Sequence, residues 1–215
     1  MEYKFMCKLF GISIRFFLLI LLFSTKFCSA HTNTHSQSMP VIVMYEREFV
    51  LSDYYYIEAE GLTLGNIIKT KLSLSTNYQH YNTHGEHTSS AYLRLFSLGT
   101  LFTWASVIDL YDAEGYNLGR IDGTLLTLLP SKFHFYDADD CHVAVAYMDQ
   151  EHMGFSLVAA YNENKIIAQF KRIFVQDVAD HWEIRINDPS AIDIRMIFAF
   201  GAFAIDHQTD FREDN

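Results

Sequence analysis

The densest collection of groups able to do chemistry lies in His80-Tyr81-Asn82-Thr83-His84-Gly85-Glu86-His87. Neutral imidazoles and a carboxylate suit zinc or copper, and a loop could fold His80, His84, Glu86 and His87 around one ion. That spacing supports a metal-dependent enzyme; the same residues also read as a solvated hairpin loop. His31 would chelate through its α-amine and imidazole if processing made it the amino terminus. Asp137, Asp139 and Asp140 have the one-apart spacing of a calcium loop, but the glycine at the sixth position and the distal bidentate glutamate are missing, so a hairpin turn is expected. Cys141 precedes Val143 and Val145 in alternation and reads as a small core residue. The chain shows no nucleophile elbow, phosphate loop or paired-carboxylate signature. The expectation is therefore a non-catalytic binding protein with no cofactor, zinc or copper in the histidine loop being the exception.

Arg172 stands out for its phase. Along Ile166, Ala168, Phe170 and Phe174 it occupies the apolar face, so its guanidinium needs a partner if no bulge intervenes. Asp180, Asp188 and Asp193 are the nearest acids in sequence, and a bridge anchoring the entrance of the C-terminal helix is expected over a ligand clamp.

These residues are carried by a chain of 215 residues, half hydrophobic and 15% aromatic, with 26 acidic against 16 basic side chains. The excess of acid repels phosphate backbones, so nucleic acid is not an expected partner. Residues 1–30 read as a signal peptide: Lys4, Lys8 and Arg15 precede the apolar run Phe16–Phe23, and Cys28-Ser29-Ala30 offers a cleavage point. The run is shorter than the roughly 20 residues of a membrane span; the alternative is an uncleaved anchor over residues 9–27. Export would leave 12 basic against 25 acidic residues, a charge of -13, and Cys141 as the one remaining cysteine, with no partner within the chain for a disulfide. Residues 31–44 form a polar leader, 45–207 the domain, and 208–215 an acidic tail.

From Val41 to Asn187 the apolar residues recur with a period of two, which predicts about eleven strands, each burying one face. Phe133, Phe135, Trp182, Ile184 and Ile186 are expected to face inward. Tyr111-Asp112-Ala113-Glu114-Gly115, Tyr136-Asp137-Ala138-Asp139-Asp140 and Tyr161-Asn162-Glu163-Asn164-Lys165 repeat at intervals of 25 residues, as hairpin turns in an up-and-down meander would. Then the period changes. Asp188-Pro189-Ser190 reads as a helix start, giving a helix over 190–207. Its run Met196–Ile205, including Phe198, Phe200 and Phe203, has no polar stripe and must be buried on every side. The simplest container is a closed sheet, so the fold class is mainly β: an antiparallel up-and-down barrel of about 11–12 strands around a buried C-terminal helix. Two readings compete with it. The run also suits the last strand of a sandwich, and a hollow barrel with residues 190–207 outside would carry a hydrophobic ligand or lipid.

The meander, the segment Val107-Ile108-Asp109-Leu110-Tyr111-Asp112-Ala113-Glu114-Gly115-Tyr116-Asn117-Leu118-Gly119, the strand Asp180-His181-Trp182-Glu183-Ile184 and the terminal helix resemble the tubby C-terminal-like superfamily. The likeness is nearest to its LURP-one-related and phospholipid-scramblase-like branches. It implies a twelve-stranded barrel wrapped around a central helix, over residues 45–207. The family's phosphoinositide binders grip with clustered Lys and Arg, and 12 basic residues argue against that ligand here. An unidentified protein or a lipid surface is the expected partner, met on the outer wall or the loops.

Overall fold

The computed structural model describes residues 39–71, 76–94, 106–124, 132–149, 154–173 and 181–207. All lie in the second of the chain's two compact units, Asn33–Asn215. Among the described residues twelve strands are present: β1 (Ile42–Glu48), β2 (Ser52–Ala59), β3 (Leu62–Thr70), β4 (Asn77–Asn82), β5 (His87–Leu93), β6 (Val107–Asp112), β7 (Asn117–Gly123), β8 (Lys132–Asp137), β9 (His142–Met148), β10 (Gly154–Ala159), β11 (Asn162–Ile173) and β12 (His181–Ile186). One helix, α1 (Ile194–Asp206), follows. Each strand pairs antiparallel with its sequence neighbours, and β1 pairs with β12 to close the barrel.

The helix runs inside. Its residues Met196–Ile205 are all buried. Phe200 meets Phe133 and Phe135 of β8, Phe155 of β10 and Phe170 of β11 with ring centroids 5.0–5.4 Å apart. Phe198 faces His80 of β4, and Gly201 lies against Met44 of β1 and Ile184 of β12. Contacts on so many sides exclude both the sandwich strand and the hollow barrel with an external helix. A peptide helix apolar all round finds no cheaper place than a lumen lined by Ile, Phe and Ala.

Three expectations need correction. The helix begins at Ile194, not 190. Asp188 closes a turn by accepting from the Ser190 backbone N–H, and the true cap is Asp193, whose Oδ1 accepts from Arg195 N–H at 2.9 Å. Residues 42–44, assigned to a leader, are the start of β1. The strand missing from the sequence reading is β4, within what read as a histidine-rich loop: Asn-Tyr-Gln-His-Tyr-Asn buries only Tyr78 fully, so its period of two lacks apolar contrast.

With β4 in place, the hairpin repeat gains a member. Asn82 accepts from the backbone N–H of His84 and Glu86, as Asp112 does from Glu114 and Tyr116, and Asp137 from Asp139 and Cys141. Asn162 accepts from Asn164. Gly85, Gly115 and Asp140 take the positive-φ position these turns require. Four hairpins of one design therefore crown the end where α1 enters, and the β1–β2 hairpin sits at the end where α1 leaves.

Candidate functional site

The histidine-rich segment does not bring three of its ligand atoms together. His80 points inward from β4, its ring 5.6 Å from that of Phe198 and its Nδ1 2.8 Å from Thr88 Oγ1. Burial, then the charges of Arg195 and His87, push its pKa down to about 4, so the ring is neutral at pH 7. His84 sits in the turn beside Thr83. Glu86 accepts from Asn82 Nδ2 at 2.7 Å, and His87 Nε2 lies 2.9 Å from Ser90 Oγ. No three of these four offer ligand atoms within 4.8 Å of one another. The acids at 137, 139 and 140 form a hairpin turn, with Asp140 3.2 Å from Arg120. His31 lies outside the described residues.

Cys141 is half-buried, in the turn before β9, and is not a free thiol, which corrects its reading as a small core residue. The inward positions of β9 are Ala144, Ala146 and Met148.

Arg172 is 8% exposed, opposite the buried Trp182 in the β11–β12 pairing. It stands near the end of β11 where α1 leaves, whereas Asp193 stands where α1 enters, held by Arg195 at 2.7 Å, and Asp188 is held by Lys165 at 2.6 Å. Arg172 therefore does not anchor the helix entrance. A register shift around Leu157 and Val158 exposes Ile166 and turns Ile167 inward, so the simple alternation drawn through Ile166 fails at its first residue. Trp182 stacks on Phe155 at 6.4 Å, and Met196 lies against Gly119 of β7.

Chemistry concentrates instead on the β1–β2 hairpin, which the candidate residues did not include. Strand alternation sorts it into two faces. Outward, Tyr45, Tyr54 and Tyr56 stack at 5.4 and 6.2 Å, Arg47 lies over Tyr45 and Tyr56, and Phe49 meets Tyr54 edge-on. At the tip, Phe49, Val50 and Leu51 are 51%, 92% and 58% exposed. Inward, Glu46 and Asp53 approach Asp206 at the end of α1, with one oxygen of each within 4.8 Å of the others. Lys71 pairs with Asp53 at 2.7 Å, Lys69 pairs with Asp206, and the Tyr78 hydroxyl donates to Asp206 at 2.6 Å. The sequence signal that could have found this face is Asp53-Tyr54-Tyr55-Tyr56: an acid and a tyrosine in the inward phase, beside two outward tyrosines.

A protein from Arabidopsis thaliana solved by X-ray crystallography is similar to this chain, with a TM-score of 0.51 and 11% identity over 79% of this chain and 92% of that one. At that identity the likeness shows the fold, and it places the chain among proteins of this barrel architecture. No protein-family model and no curated protein matches the sequence.

Proposed function

We propose that this protein is an exported, non-catalytic binding module of the tubby and LURP-one-like type, which meets a lipid surface through the outside of its β1–β2 hairpin. The filled lumen turns ligand binding outward, since the space a barrel would offer to cargo is taken by Phe200, Phe203 and their neighbours. The observation that carries the reading is the tip itself: three consecutive apolar side chains, the central one almost fully exposed, continuous with a packed wall of tyrosines. Scattered exposed hydrophobics are ordinary, but three in a row at a hairpin tip form a patch able to enter a bilayer interface. Full burial of such side chains is worth about 1.5–3 kcal/mol each, enough for weak and reversible attachment. The charge of -13 over residues 31–215 favours a neutral surface over an anionic one. Export rests on residues 1–30, and amino-terminal sequencing of the native protein, expected to begin at His31, tests it.

The lipid contact is tested by co-sedimentation with phosphatidylcholine vesicles. The wild type should sediment, and Phe49→Ser with Val50→Asp and Leu51→Ser should lose binding by about tenfold or more, since each removed apolar group is worth of the order of 1 kcal/mol or more. Equal sedimentation of the two proteins would overturn the reading.

A further inference from the structure

We infer that the end of the barrel where α1 leaves carries a site for one calcium ion, held by an oxygen each from Glu46, Asp53 and Asp206. These three acids come from β1, β2 and the last residue of α1, and only the closed barrel brings them together. Theirs is the one group of three possible ligand atoms, among the described residues, within 4.8 Å of each other. An ion centred among three oxygens no more than 4.8 Å apart would lie at most about 2.8 Å from each, and the 2.3–2.6 Å of calcium falls inside that reach. All three ligand atoms are carboxylate oxygens, which select a hard cation over zinc or copper.

The site's charge and hydrogen bonding both lack a positive partner. Lys71 serves Asp53 and Lys69 serves Asp206, while Glu46 forms no ion pair among the described residues. Three carboxylates facing two ammoniums leave one negative charge. Tyr55 is fully buried, and its hydroxyl is aimed into the cluster, near Glu46, Asp53 and Asp206. It makes no hydrogen bond of proper geometry with any of them. Asp206 is a carboxylate at a helix C-terminus, where the helix dipole favours a cation. Glu48, Tyr78 and His207 are the other titratable groups around the site. The two lysines compete with the ion, so affinity in the weak range of calcium modules is expected.

Calorimetric titration of the full chain with calcium chloride at pH 7.5 tests the site. One ion per chain is expected, with a dissociation constant of about 10⁻⁴–10⁻³ M. Glu46→Gln removes the one acid without an ammonium partner and should weaken binding by about tenfold or more. Absence of stoichiometric binding up to about 10 mM calcium, equal affinity for magnesium, or undiminished binding by Glu46→Gln would each overturn the inference. The wild-type titration stands even if a variant fails to fold, and it is independent of vesicle binding.

Discussion

Two half-buried side chains, Glu46 and His80, couple stability to pH with opposite signs. Glu46 ionises near 7 in the folded protein against an ordinary 4.5, so between those values the folded state holds more protons than the unfolded one. Its contribution to stability therefore falls as pH rises through that window, and the full cost is present above about 7. His80, pushed down to about 4 from 6.5, holds fewer protons when folded, so its contribution rises with pH across 4 to 6.5 and is complete above. Urea unfolding across this pH range should show Glu46→Gln more stable than wild type at pH 8 by about 1–3 kcal/mol, a figure discounted for partial solvent screening, with the gain vanishing near pH 4. In the same series His80→Asn should flatten the loss of stability between pH 6.5 and 4. Neither shift was legible in the sequence: His80 read as a loop ligand because its neighbours are polar, and only the packing of Phe198 against it makes it a buried ring.

At the scale of elements, period and turn chemistry were legible and phase was less so. The Tyr-Asp repeat marked its hairpins because an Asx side chain can close a turn with its own neighbours, a property that needs no tertiary help. Tyr81-Asn82-Thr83-His84-Gly85 obeys the same rule, and the metal-like appearance of its histidines hid it. The helix start went to Asp188 because Asp-Pro-Ser and Asp-Ile-Arg both offer a capping side chain, and the distance from β12 to the lumen decides between them. Two glycines separate strand from helix demands. At Gly119, with φ +142°, an added Cβ would overlap the Tyr136 carbonyl, a backbone atom of the next strand. At Gly201 it would stand 3.2 Å from the Ile184 Cδ1 and Met44 Sδ, ends of side chains that can yield. Thermal unfolding should therefore find Gly119→Ala destabilised by about 2 kcal/mol or more. Gly201→Ala should stay within about 1 kcal/mol of wild type, helix propensity offsetting the crowding.

For the whole molecule, the helix and barrel form one core. Phe200 touches rings on β8, β10 and β11, so truncating it empties the centre of the lumen and strands on several sides lose a partner. Phe200→Ala should cost about 3–5 kcal/mol, read from denaturant midpoints, and the loss should appear in a single transition because no strand packs independently of α1. A variant that unfolded the helix first, leaving the barrel's circular dichroism intact, would contradict that coupling. The same closure explains the absence of an edge: β1 pairs with β12, so neither β1 nor β2 presents open hydrogen-bonding groups.

Local alternation, Asx turns and a helix without a polar stripe are written along the chain, and they determined a meander of strands, a buried terminal helix and hence a closed container. These properties depend on neighbours within a few residues, so a linear reading reaches them. The number of strands, the bulge at Leu157 and Val158, and the meeting of Glu46, Asp53 and Asp206 were decided only by the tertiary structure. The last of these joins residues 46 and 206 through barrel closure, and no periodicity records which end of a helix will reach which strand.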